Sequence, residues 1–153
     1  MKIFFDTEFI EDGKTIDLIS IGMIKENGDT YYAESSDCDY TKASDWVVNN
    51  VFPHMNLPYT WKGRYTIRQE ILEFVGNDPE FWAYFADYDW VVLCQLFGKM
   101  IDLPKGWPMF CMDVKQYQVM RNIPILPIMK GNAHNALDDA IWCKEAFDFL
   151  SNY

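Results

Sequence analysis

The element order of this chain predicts an α/β fold: a mixed sheet whose first three strands are antiparallel, with helices packed on it. Two observations carry that expectation. Three strand-like runs joined by turn sequences fill the first 34 residues, and beyond them helical stretches alternate with short apolar runs, giving βββ followed by α, β, α, β, α. A third sets the scale. The chain has 153 residues, half of them apolar and 17% aromatic, enough for one domain with a substantial core. No repeat, low-complexity tract or linker divides it, so residues 1–153 read as a single domain.

The strands come first. Lys2–Phe5 is a short apolar run, followed by a turn at Asp12-Gly13. Ile16–Lys25 (IDLISIGMIK) and Thr30–Glu34 (TYYAE) flank Glu26-Asn27-Gly28-Asp29, whose central Asn-Gly is a strong hairpin signal. A three-stranded meander is the expected outcome.

The character then changes. Ser44–Val51 (SDWVVNNV) reads as a short helix stopped by Pro53. Thr66–Val75 is amphipathic, with Ile67, Ile71, Leu72 and Val75 on one stripe. Glu80–Ala86 (EFWAYFA) reads as a buried strand, and Asp87–Lys99 as the helix behind it. Met109–Met112 is a further short strand, and Asp113 is placed to cap the helix Val114–Met120. A proline-rich loop leads to the last helix, Asn135–Leu150. On its wheel Ala136, Ala140, Cys143, Phe147 and Leu150 share the apolar side.

Composition narrows the function classes. With 23 acids against 13 Lys plus Arg, the net charge is −10. A protein that holds nucleic acid only by neutralising phosphates should be basic; if this one meets nucleic acid, something other than bulk charge manages the repulsion. The four cysteines (Cys38, Cys94, Cys111, Cys143) form no Cys-x-x-Cys pair, which argues against a zinc site and fits reduced thiols. Asp6 interrupts the only N-terminal apolar run, and no stretch approaches a membrane span. The expectation is a cytoplasmic protein with no membrane partner.

Acids stand out in three places. Asp6 and Glu8 follow Phe5 directly and, two apart on a strand, project to one face beside Phe4. Two carboxylates that close repel unless a proton or cation sits between them. A strand fraying into a solvated acidic loop would also explain them. In FADYDWVVL, Asp87 reads as an N-cap, while Asp89 points among Val92, Leu93 and Leu96; the helix N-terminal dipole suffices to explain either. In HNALDDAIW, Asn135 is a good N-cap and Asp139 lies beside Cys143 at the edge of the apolar side, whereas Asp138 falls well away. A carboxylate turned toward a core needs a partner. His134, taken alone, reads as a surface or capping residue.

Together these segments make an ordered set: Asp-x-Glu on the first strand, Tyr-Asp-x-x-x-Leu at a helix start, and His-x-Ala-x-x-Asp opening the final helix. The set resembles the 3′–5′ exonucleases named for four acids and a histidine (DEDDh), among them proofreading exonucleases, oligoribonuclease and RNase T. DTEFIEDG, HNALDDA and the intervening WVVNNV and IRQEILEF helices are most similar to the small RNase T-like 3′-exoribonucleases, and the resemblance runs essentially end to end. It implies a ribonuclease H-like sheet. It also implies hydrolysis of single-stranded nucleic acid from the 3′ end to nucleoside 5′-monophosphates by a two-metal mechanism, with RNA favoured over DNA. Asp6, Glu8, Asp89 and Asp139 would hold two Mg²⁺ or Mn²⁺ ions per active site, hard cations that prefer oxygen ligands. His134 would be the general base and Glu8 part of the catalytic set. Single-stranded RNA or DNA 3′ ends are the implied partners, and a homodimer is left open because relatives often pair.

Two positions depart from many relatives. Phe9 stands where a Thr or small residue often follows the Asp-x-Glu, and Phe85 stands where an Asn often precedes the second-motif Asp by four. Thr7, Phe9 and Ile10 are candidate substrate contacts, the last two as a wedge against the terminal base. Trp61 and Arg64, in an aromatic and basic stretch with Lys62 and Arg68, suit following nucleotides or a partner subunit; core packing and surface solubility explain them equally. A single-stranded DNA exonuclease and a catalytically silent nucleic-acid-binding module on the same fold are the rival readings. The full acid set beside His134 weighs against the second.

Overall fold

The computed structural model describes residues 1–153. Five strands form one sheet: β1 (Lys2–Glu11), β2 (Ile16–Lys25), β3 (Thr30–Glu34), β4 (Glu80–Ala83) and β5 (Met112–Asp113). Their spatial order is β3-β2-β1-β4-β5. The β1–β2 and β2–β3 pairs are antiparallel, and β4 and β5 add in parallel. The mixed sheet with an antiparallel start is as the sequence predicts. Five helices cover it: α1 (Asp45–Asn50), α2 (Arg64–Val75), α3 (Asp87–Phe97), α4 (Val114–Met120) and α5 (Ala136–Asn152).

Period-two alternation along β1 divides the core. Ile3 and Phe5 point to one face and pack with Ile67, Ile71 and Val75 of α2 and Val92, Leu93 and Leu96 of α3. Phe4 points to the other, against Ala140, Cys143, Ala146 and Leu150 of α5. A third cluster, Ile10, Ile19, Val47 and Val51, lies under α1. No helix is long and apolar enough to cross a membrane.

Element ends differ from the sequence expectation in four places. β1 does not stop at Phe5 but runs to Glu11, because β2 pairs with it throughout, Asp6 opposite Gly22 and Glu8 opposite Ser20. Backbone pairing outweighs the low strand preference of the two acids, which are therefore held on a rigid strand. β4 ends at Ala83; two residues later Phe85 takes a left-handed φ of 57° and turns the chain toward α3. Ala86, not Asp87, precedes the first turn of α3, and its amide donates to Asp113 Oδ2 at 2.7 Å. That carboxylate also caps α4 by accepting from the Gln116 amide at 2.9 Å. β5 is only Met112–Asp113, where the sequence predicts a strand over Met109–Met112.

Candidate active site

The site begins at a close approach. α5 sits on β2 so tightly that a Cβ on Gly22 would lie 2.3 Å from the Ala136 carbonyl and the Leu137 nitrogen. Only a glycine permits that seat, and Gly22 is the residue opposite Asp6. Asp139, one helical turn into α5, is thereby delivered to the face that carries Asp6 and Glu8. One carboxylate oxygen from each of the three lies within 4.8 Å of the others.

The neighbouring acid goes elsewhere. Asp138 turns back over the preceding loop, where its Oδ2 accepts from the Asn132 amide at 2.8 Å. A Cβ on Gly131 would come within 2.8 Å of the Asp138 side chain, so that glycine gives the loop room to fold over it. Asn135 caps α5 as expected, its side chain accepting from the Leu137 and Asp138 amides.

His134 occupies a left-handed backbone conformation, φ 67°, and its amide donates to Asp139 Oδ2 at 2.9 Å. Its ring stands edge-on to the Trp46 indole with centroids 4.8 Å apart. The residue thus tethers Asp139 through its backbone while its half-buried imidazole lines the same cleft.

Asp89 arrives from the opposite side of the sheet. β4 pairs with β1 only as far as Phe4, so the β1 edge beyond that point is free of its neighbour. The Thr7 amide on that edge donates to Asp89 Oδ1 at 2.9 Å, and the Thr7 hydroxyl donates to the same oxygen at 2.6 Å. Asp89 is 6% exposed and stands outside the three-carboxylate group.

The electrostatics follow from crowding acids around the buried middle of β1. Burial, then the charges of Asp89, Asp139 and Glu8, push the Asp6 carboxyl well above the usual carboxylate range. Burial and the same neighbours push Glu8 up to about 8. Burial raises Asp89 to about 6, against the pull of the two Thr7 hydrogen bonds. Asp139 is raised by burial and lowered in part by the His134 amide. Oxygen donors that repel one another fit a hard divalent cation, whose charge would offset the repulsion. The buried Cys143 thiol is pushed far up by burial and by Asp6, so it stays protonated.

These residues line a cleft of about 340 Å³ together with Phe9, Trp46, Tyr84, Phe85 and Tyr88; no Lys or Arg is among them. The Phe9 and Tyr88 rings meet edge-on at 5.8 Å. Of the substrate contacts the sequence suggests, only Phe9 presents its side chain to the cleft unengaged by a hydrogen-bond partner. Thr7 borders the cleft but holds Asp89. Ile10 is 5% exposed, in the core beneath α1, and is not a wedge. Trp61 stacks on Tyr40 at 4.8 Å and donates its indole N–H to the Asn56 carbonyl, while Arg64 pairs with Asp17. Neither is brought to the carboxylates. The sequence reading missed Trp46, Tyr84 and Tyr88 as site residues. Their signal was proximity in sequence, since Tyr84 and Tyr88 flank the second-motif acid and Trp46 opens a helix with no obvious apolar stripe.

Comparison with known proteins bears on the chain as a whole. The model of the 3′-5′ exoribonuclease Rv2179c-like domain matches residues 1–151. The 3′-5′ exoribonuclease Rv2179c of Mycobacterium tuberculosis (strain H37Rv) is 43% identical over 146 residues, covering 92% of this chain and 87% of its own. Among solved structures, E. coli exonuclease I in complex with a dT13 oligonucleotide superposes with a TM-score of 0.71 at 13% identity, over 98% of this chain. The chain spans only 40% of that protein. A 3′-exonuclease solved with a histone mRNA stem-loop superposes with a TM-score of 0.66 at 13% identity, over 99% of this chain and 63% of its own. At such identities the structural likeness speaks for the fold alone, and that fold is ribonuclease H-like.

Proposed function

We infer the activity from one premise: the chain belongs to the Rv2179c-like 3′-5′ exoribonuclease domain family. It acts as a metal-dependent 3′–5′ exoribonuclease of the DEDDh type, with residues 1–153 as one catalytic domain in the cytoplasm. The observation that carries the reading is the meeting of Asp6, Glu8 and Asp139 within 4.8 Å beside His134.

Asp6, Glu8 and Asp139 would hold the first divalent cation. Asp6 would be shared with a second, and Asp89, fixed by Thr7, supports the set from the opposite edge. Two Mg²⁺ or Mn²⁺ ions, when bound, would supply Lewis-acid stabilisation of the attacking and leaving oxygens of a phosphodiester, and their four positive charges would offset part of the −10 net charge of the chain. The protein's own groups do the rest. The His134 imidazole, which lines the cleft, accepts the proton of the attacking water. The new P–O bond forms as the bond to the 3′ oxygen of the next nucleotide breaks. That oxygen takes a proton from solvent, and a nucleoside 5′-monophosphate is released. Phe9, Tyr84, Phe85 and Tyr88 offer ring faces and edges to the terminal base.

The test is incubation with 3′- and 5′-labelled RNA and DNA strands in Mn²⁺, Mg²⁺ or chelator. Stepwise shortening of 5′-labelled RNA, with 3′ label released as mononucleotide and chelator stopping both, is the expected result. Internal cuts, or activity untouched by chelator, would contradict it.

A further inference from the structure

Asp139 and Asp89 are steadied by hydrogen bonds from His134 and Thr7. Glu8 has no such bond: burial and the charges of Asp139 and Asp89 are all that act on its carboxylate. Its side chain has one more rotatable bond than an aspartate, and so more freedom to lose when it is fixed on a cation. What surrounds it on the sheet therefore matters.

On the face that carries Glu8, Ser20 stands opposite it on β2, and Glu34 stands opposite Ser20 on β3. Ser20 is 2% exposed and Glu34 3%. Glu34 is thus a buried carboxylate outside the reaction, and no Lys, Arg or His pairs with it. Two neutral donors share its Oε1, the Tyr32 hydroxyl at 2.8 Å and the Asn56 amide at 2.8 Å. Its main-chain carbonyl accepts from the Lys62 amide at 2.8 Å, which fixes that end of the strand.

Tyr32 lies two residues before Glu34 on the same face, across Gly22 from Asp6. Burial and the bond to Glu34 push its pKa above the usual range; the Ser20 hydroxyl pulls it down, and the charge of Glu8 adds to the rise. The phenol therefore stays protonated as a donor to Glu34 while standing within reach of Glu8.

We propose that Tyr32, anchored by Glu34, is a positioning residue for Glu8: the pinned phenol closes the space behind the Glu8 side chain and keeps its carboxylate turned toward Asp6 and Asp139. The inference rests on the cation-site reading above and adds two residues to it. Tyr31 supplies the contrast. On the opposite face of the same strand, its hydroxyl donates to Glu70 Oε2 at 2.9 Å, and that glutamate is paired with Lys62. Two adjacent tyrosines make the same kind of bond, and only one of them faces the carboxylates.

Calorimetric titration of Mn²⁺ into Tyr32→Phe and Tyr31→Phe, beside thermal melting in chelator, tests the proposal. Each variant loses one hydroxyl and one hydrogen bond to a glutamate, so both should melt somewhat lower than the wild type. Tyr32→Phe should bind Mn²⁺ about 10-fold more weakly, the scale of an outer-shell partner. At saturating Mn²⁺ its kcat should fall with KM for RNA unchanged. Tyr31→Phe should keep wild-type affinity and kcat. Glu34→Gln, whose amide oxygen still accepts from Tyr32 and Asn56, should stay within about 3-fold of the wild type. Glu34→Met, which keeps the length and removes the acceptor, should match Tyr32→Phe and stands in for it should that variant not fold. Equal Mn²⁺ affinity in Tyr32→Phe and Tyr31→Phe, or a loss in Glu34→Gln as large as in Tyr32→Phe, overturns the positioning role. Wild-type protein that binds no Mn²⁺ removes the cation site itself, whereas wild-type binding that Tyr32→Phe leaves unaltered sinks this inference alone.

Discussion

Two helices each carry a pair of acids, bring one of the pair to the middle of β1 and hold that one differently. α5 carries Asp138 and Asp139 side by side; one folds over the Gly131 loop, and the other joins Asp6 and Glu8. α3 carries Asp87 and Asp89 in its first turn; Asp89 reaches β1 but is held there by two hydrogen bonds from Thr7. Asp139 has one amide on one oxygen and keeps the other oxygen free for a cation. The lesson is that being an acid beside β1 does not define a ligand. What separates the two is position: each has hydrogen bonds on a single oxygen, but only Asp139 brings a carboxylate oxygen within 4.8 Å of Asp6 and Glu8, so on the proposed reading Asp139 would be the direct ligand and Asp89 the supporting one.

The largest expected effect comes from breaking the α5 side. Asp139→Asn or Asp6→Asn should lower kcat/KM by about 10³-fold or more, since transition-state charge stabilisation of several kcal/mol is lost. Far-UV circular dichroism should be unchanged. Near-normal turnover in either variant would remove the carboxylate group from the mechanism. His134→Ala comes next, with a loss of about 10²–10⁴-fold in turnover and Mn²⁺ affinity kept, as removal of a general base requires. Equal rates at neutral pH would reduce His134 to the tether that its amide already provides for Asp139.

On the α3 side the expected effect is smaller. Thr7→Val keeps the shape of the side chain and removes one of the two hydrogen bonds that fix Asp89. We expect about a 10-fold loss of activity, the scale of an outer-sphere partner. A loss as large as that of Asp139→Asn would mean that Asp89 coordinates directly and depends wholly on Thr7.

The crowded acids also predict a stability profile. A carboxyl whose pKa is raised by folding contributes fully below its unfolded value and costs stability as pH rises toward its folded value. With Glu8 at about 8 and Asp89 at about 6, the melting temperature in chelator should fall between about pH 4.5 and pH 8, by about 2–4 °C for each kcal/mol lost. Glu8→Gln should flatten that fall, and Mn²⁺ should offset it. A flat wild-type profile in chelator would contradict the mutual repulsion. Least affected is Asp138→Ala, which should cost about 1 kcal/mol at most at the helix start and spare catalysis.

Much of this was legible in the sequence, for reasons that can be named. The hairpin turn at Asn27-Gly28 and the period-two apolar runs specify the antiparallel start of the sheet locally, without reference to the rest of the chain. The wheel position of Asp139 beside Cys143 set it apart from Asp138, and only Asp139 lies near Asp6 and Glu8, because a helix face is set by the same residues wherever the helix lands. What the sequence hid were non-local contacts. Gly22 looked like an unremarkable strand residue until α5 was found seated on it. Thr7 looked like a substrate contact because nothing local says that β4 stops short and leaves its amide to Asp89. Trp61 and Arg64 looked suited to a nucleic-acid strand by composition, but a stacking ring and an ion pair within the fold engage both.

The central claim is that Asp139, and not its neighbour, completes a cation site with Asp6 and Glu8. Calorimetric titration of Mn²⁺ into Asp139→Asn and Asp138→Asn, beside the wild type, tests it without reliance on any substrate. We expect Asp138→Asn to bind Mn²⁺ as the wild type does and Asp139→Asn to bind it at least about 10-fold more weakly, one ligand having been removed. Wild-type affinity in Asp139→Asn, with loss in Asp138→Asn or in neither, would contradict the account.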